Sequence, residues 1–123
     1  MEDSLYREII LEHWENPQNY GVISDADIDV SDMNPLCGDE IRITAKIKEG
    51  RIVAIQFVAI GCAISKASAS LFTEEIKGME LHTVQKITEQ EVLDTLGITL
   101  TPARMKCALL GWQVIKKGIY DKV

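Results

Sequence analysis

Basic residues are in short supply. Thirteen Lys and Arg stand against nineteen Asp and Glu among 123 residues, for a net charge of −6. Nucleic acid and anionic membrane surfaces both require a basic face, so neither is expected as a partner. No apolar run approaches the ~20 residues of a membrane span. The opening Met-Glu-Asp-Ser lacks the basic-then-apolar layout of a signal peptide. Cysteine is scarce and odd in number, three in all, with no Cys-x-x-Cys pair. A disulfide framework is therefore not expected; reduced thiols in a cytoplasmic protein are. Repeats, low-complexity stretches and linkers are absent. The three prolines, Pro17, Pro35 and Pro102, each fall between periodic segments. A hydrophobic content of 46% with 26% charged residues excludes disorder and supports a single domain over 1–123 with a core of its own.

Periodicity supplies the elements. Leu5, Ile9, Ile10 and His13 or Trp14 recur at helical spacing, predicting a helix over 3–15 capped by Asp3 or Ser4 and ended by Asn16-Pro17. Ala26, Ile28 and Val30 alternate with polar residues as a first strand. Ile41, Ile43, Ala45 and Ile47 alternate with Glu40, Arg42, Thr44 and Lys46, which makes the second strand half-buried. Glu49-Gly50 joins it to a third strand over 51–60 as an antiparallel hairpin. A helix rich in Ser and Ala is predicted over 62–77, its small residues admitting a close neighbour. A short helix over 88–96 carries a capping box, Thr88 with Glu91. The last helix starts from Thr101-Pro102 and runs to about 117. Strands precede helices without βαβ alternation. The fold class is α+β: a three-stranded antiparallel sheet with helices packed on it.

Each cysteine lies at an element boundary. Cys37 sits in a Pro- and Gly-bearing loop, Cys62 where the third strand gives way to a helix, and Cys107 near the start of the last helix behind Arg104 and Lys106. Helix N-terminal amides and cations favour thiolate, the form that ligates metal or attacks sulfur, and such boundaries are expected to expose it. The bland reading of any one of them is packing, since free cysteine is often buried. Three boundary positions together favour a shared site. Asp39, two residues past Cys37, is a candidate fourth ligand or else a turn aspartate bonding its own backbone. His13 and His82 fit surface roles better than ligation. Lys106 can steady negative charge on Cys107 or simply solvate its helix.

The segments Asn34-Pro35-Leu36-Cys37-Gly38-Asp39, Gly61-Cys62-Ala63-Ile64-Ser65 and Lys106-Cys107-Ala108 resemble the three cysteine motifs of the U-type iron–sulfur cluster scaffold family: IscU, SufU and the N-terminal part of NifU. The resemblance extends through the first helix and Asn16-Pro17-Gln18-Asn19-Tyr20-Gly21. It implies that Cys37, Cys62 and Cys107, with Asp39, hold a nascent 2Fe–2S cluster or a zinc ion at one end of the sheet. It also implies a cysteine desulfurase that delivers sulfur as persulfide, onto Cys107, and recipient apo-proteins, with the chain a monomer or homodimer. Two departures bear on the branch. Lys106 replaces the His that precedes the third cysteine in IscU, which adds weight to Asp39. Leu100-Thr101-Pro102-Ala103-Arg104 replaces the Leu-Pro-Pro-Val-Lys read by a dedicated Hsp70 chaperone, which weighs against chaperone-driven transfer. Arg104-Met105-Lys106-Cys107 and Trp112 look more like SufU, yet the SufU insertion between the second and third cysteines is missing. The scaffold expectation thus has a zinc-dependent sulfur acceptor as its rival.

Overall fold

The computed structural model describes residues 2–120 except 37 and 98, with side chains from residue 5 onward. Its elements in order are α1 (Glu2–Glu15), β1 (Ile28–Asn34), β2 (Asp39–Lys48), β3 (Arg51–Ile60), α2 (Ala63–Ile76), α3 (Leu81–Gln85), α4 (Glu89–Leu96) and α5 (Pro102–Ile119). The three strands form one antiparallel sheet in the order β1-β2-β3. The expected α+β architecture is the one observed.

The β2–β3 turn is tight because Glu49 and Gly50 both take left-handed backbone angles, φ 54° and 75°, matching the twist of the strands they join. Alternation, with a register shift between Lys46 and Ile47, places Ile41, Ile43 and Ala45 of β2 and Ile52, Ile55 and Phe57 of β3 on one buried face. Each such side chain contributes about 1.5–3 kcal/mol on burial. α2 and α5 cover this face, and α1 lies on α2.

Small residues set the spacing. A methyl group added at Gly111 would touch Ala69 at 3.5 Å, so α5 and α2 cross almost backbone to backbone. Ser68 Oγ–H donates to the Ala108 carbonyl at 2.6 Å across the same crossing. On the other side of α2, Ser70 Oγ meets His13 Nδ1 at 2.6 Å and accepts from the Gln18 amide at 2.8 Å. The Ser- and Ala-rich helix thus admits α5 on one side and α1 with its following turn on the other.

Several boundaries shift. α1 begins at Glu2, so Asp3 and Ser4 lie inside its first turn and do not cap it. Thr88 and Thr101 do cap α4 and α5, accepting from the amides of Glu91 and Arg104. β1 runs on to Asn34, and Asn34 pairs with Asp39, shrinking the cysteine-bearing loop to residues 35–38. The connection that carries His82 contains a short helix, α3, because Leu81 and Val84, three apart, both turn into the core. Among the described residues, no helix is long and apolar enough to cross a membrane.

Candidate metal centre

Three elements end at one point. β2 starts with Asp39, α2 starts after Cys62, and the second turn of α5 carries Cys107. One ligand atom from each of Asp39, Cys62 and Cys107 lies within 4.8 Å of the others. Cys37 belongs to the adjoining loop but lies outside the described residues.

Glycine makes this convergence sterically workable. Gly61, at φ 136°, sits where a Cβ would lie 2.0 Å from Asp39 Oδ1 and 2.9 Å from Asp39 Cα. Only a residue without a side chain lets β3 turn into α2 against the Asp39 carboxylate. The carboxylate then accepts from the Cys62 amide at 2.9 Å and from the Cys62 thiol at 3.6 Å. Cys62 is the N-cap of α2, and its side chain does not cap the helix; Asp39 places negative charge at that terminus instead.

Asp39 is 1% exposed. Burial alone would raise its carboxyl, but hydrogen bonds from Cys107, the Cys62 amide, Ser65 and the Cys62 thiol outweigh it, holding the group below the ordinary carboxylate range. The Cys62 thiol is also lowered. Burial works against this, as does the Asp39 charge; the Ser65 hydroxyl and amide and the Cys107 side chain prevail. Ser65 Oγ lies 3.4 Å from Cys62 Sγ. The expected lowering by a helix start therefore appears at Cys62, through specific donors on the first turn.

Exposure departs from expectation. Cys62 is half-buried and Cys107 wholly buried, although boundary positions were expected to expose both thiols. Cys107 is deep because it lies one turn inside α5, on the face that also carries Ala108, Leu110 and Val114 into the core. Its thiol reaches the Ala103 carbonyl at 3.6 Å, and Asn34 Nδ2 faces its sulfur at 4.0 Å. Lys106, the residue before it on the helix, is exposed. With Met33, Asn34, Pro35, Leu36 and Gln113 it lines a groove of about 230 Å³. His13 is bound to Ser70, away from the sulfurs, and His82 lies on α3.

Two thiols and a carboxylate within this distance suit a metal. Tetrahedral zinc with bonds of about 2.0–2.3 Å sets its ligand atoms about 3.5–3.8 Å apart, and Cys62 Sγ already lies 3.6 Å from Asp39 Oδ2. Soft sulfur donors favour zinc and iron–sulfur species over magnesium or calcium. Sequence reasoning gave no separate role to Asn34, Ser65 or Gly61. Ser65 was accessible as the residue three past a helix start, where first-turn side chains reach back to the cap. Gly61 and Asn34 depend on contacts 22 and 73 residues away, which no local pattern displays.

Comparison with known proteins places this geometry. A family model described as the NifU-like N terminal domain matches residues 5–122. The zinc-dependent sulfurtransferase SufU of Bacillus subtilis is 37% identical, across 95% of this chain and 90% of its own length. The iron–sulfur cluster assembly scaffold protein IscU 1 of Archaeoglobus fulgidus is also 37% identical, across 95% of this chain and 76% of its own. The SufU alignment needs 134 positions to hold the same share of this chain that the IscU 1 alignment holds in 117, so SufU carries residues without counterparts here. A crystal structure of a SUF-system protein from Fervidobacterium islandicum superposes with a TM-score of 0.77 at 24% identity, covering 97% of this chain and 99% of that one, and so shares the fold. Sequence, fold and motif agree: the chain belongs to the NifU-like N-terminal domain family.

Proposed function

We propose that this chain is a scaffold on which a 2Fe–2S cluster is assembled from iron and desulfurase-derived sulfur and then handed to apo-proteins. The observation that carries this reading is the convergence of Asp39, Cys62 and Cys107 from three separate elements onto one point. Cys37, on the adjoining loop, completes a set of three thiolates and one carboxylate. The cluster is cargo. Once docking of the desulfurase uncovers it, Cys107 takes sulfur by attack of its thiolate on the outer sulfur of a desulfurase persulfide; the new S–S bond forms as the old one breaks, and the desulfurase thiolate leaves. Asp39 supplies a harder, more exchangeable ligand than a fourth cysteine would, suiting a site that must release what it holds. Arg104 and Lys106, on the first turns of α5, offset part of the negative charge. Exposed Met33, Leu36 and Ile60 next to the site offer apolar surface for a desulfurase or a recipient. A cytoplasmic setting would keep the thiols reduced.

The rival reading is a zinc-dependent sulfur acceptor that works as a transferase. The 37% identity with SufU and the Lys106-Cys107 pair favour it; the residues SufU has and this chain lacks tell against it. Anaerobic reconstitution with a cysteine desulfurase, cysteine, ferrous iron and dithiothreitol, the thiol that reduces persulfide sulfur to sulfide, separates the two. The scaffold gains iron and sulfide together with visible thiolate-to-iron absorption. A colourless protein that keeps zinc, gains no iron and accelerates the desulfurase would replace it with the transferase.

A further inference from the structure

The geometry points to Asn34 as a positioning residue that ties the Cys107 sulfur to the loop between β1 and β2 through the two ends of one side-chain amide. The inference deepens the proposed function, because that loop contains Cys37. Asn34 ends β1, opposite Asp39, and is 6% exposed. Its carbonyl Oδ1 accepts from the Leu36 amide at 3.1 Å, and its backbone carbonyl accepts from the Gly38 amide at 2.8 Å. The loop is thus closed on Asn34 twice. With Oδ1 committed to an N–H donor, the amide orientation is settled, and the NH₂ end is left facing inward. There it meets Cys107 Sγ at 4.0 Å, a long contact of the kind that sulfur's diffuse lone pairs accept.

This division of labour differs from that of Lys106. Lys106 is exposed in the groove on the other side of Asn34, whereas the Asn34 donor lies inside, against a sulfur that is itself buried. The Cys107 thiol spends its hydrogen as a donor, reaching the Ala103 carbonyl at 3.6 Å, and the lone pairs of the buried sulfur face the Asn34 NH₂. A neutral amide meets them without adding a charge that repels an incoming metal. Because one rigid amide makes both contacts, displacement of the Cys107 sulfur loosens the loop, and ordering of the loop re-aims the donor. The loop held at Leu36 and Gly38 is then coupled to the Cys107 sulfur through Asn34.

Hydrogen exchange of the Leu36 and Gly38 amides, measured by NMR on the metal-free chain, tests the link, with Ile43 as the reporter of global opening. Asn34→Ala should speed Leu36 exchange about fivefold relative to Ile43, the loss of one modest hydrogen bond. Cys107→Ala, which touches neither amide, should also speed it, by about twofold to threefold. Introduced after Asn34→Ala, it should add nothing. Asn34→Asp separates the two ends. It keeps the acceptor for Leu36 but sets a carboxylate against the sulfur, so Leu36 stays protected in the metal-free chain. After loading with cobalt(II), the thiolate-to-metal charge-transfer band should weaken, and the metal should leave to a chelator about tenfold faster. Wild-type Leu36 exchange in Cys107→Ala, full additivity in the double variant, or wild-type cobalt retention in Asn34→Asp would each overturn the inference. Should the wild-type chain take up no cobalt at all, the proposed function fails, and the exchange cycle alone then decides for or against Asn34.

Discussion

The two ends of the sheet are built on opposite principles. At the end formed by the Glu49-Gly50 turn, α3 and the start of β3, hydrophobic side chains (Ile52, Leu81 and Val84) fill the interior, and polar groups such as Arg51 and Glu80 pair at the surface. At the other end Asn34, Asp39, Ser65 and Cys107 are buried together and satisfy one another. The first end is stable because it excludes water from hydrocarbon. The second is held by a few directional bonds among groups that each have a second use as a ligand or donor. It can be rearranged by a competing metal or sulfur species; the first cannot be without loss of the fold.

Substitutions that strike each end in turn should break or sharpen this contrast. Ile52→Ala at the apolar end removes a fully buried side chain and should cost about 2–5 kcal/mol, read by urea unfolding. Metal affinity extrapolated to the folded fraction should hardly change. Equal damage to metal binding would mean that the ends are not separable.

A matched pair of glycines gives the next effect. Gly61→Ala meets Asp39 Oδ1 at 2.0 Å and a positive φ, so it should cost about 1–3 kcal/mol and also displace the carboxylate. We expect at least a tenfold loss of zinc or cobalt affinity by competition titration. Gly50→Ala meets nothing within 4 Å and suffers only its φ of 75°, so it should lose about 1 kcal/mol and no metal affinity.

Ser65→Ala acts more gently. The Ser65 hydroxyl helps to hold the Cys62 thiol low, so its removal should move the alkylation profile of Cys62 to higher pH. In the variant a given rate is reached only in more alkaline buffer. An unmoved profile would assign the lowering to the helix terminus and Cys107 alone.

The smallest effect belongs to the surface pair Arg42–Asp29, at 2.8 Å on the outer face of the sheet. The Arg42 hydrogen bonds lower the Asp29 carboxyl. A depressed folded value means that the contribution is present above the unfolded pKa and disappears as pH falls through the folded one. Both partners are near half-exposed, so solvent and salt screen most of it. Asp29→Asn should leave Tm nearly unchanged at neutral pH, and the small difference should vanish in acid and in high salt.

Much of the architecture was legible because it rests on local chemistry. The alternation in β2, the Glu49-Gly50 turn, and the Thr88 and Thr101 caps are properties of a few neighbouring residues, and each appears as expected. α3 was missed because five residues with two apolar positions give too short a period to distinguish from a connection. The depth of Cys107 was misjudged because nearness to a helix start says nothing about which face of the helix is covered. That face is chosen by α2, whose Ser68 and Ala69 let α5 settle close.

What the chain determines by itself, then, is the order and type of its elements and the residues able to bind metal, since hydrophobic period, turn chemistry and ligand softness are all local properties. Tertiary structure alone decided that the start of β2, the start of α2 and the second turn of α5 meet at one point. It alone decided that Gly61 leaves room there for Asp39 and that Asn34 turns its amide toward a sulfur 73 residues away. Those outcomes depend on how closely helices approach a sheet and on which buried polar groups must find partners. Both are consequences of packing between distant segments, and no window of sequence contains them.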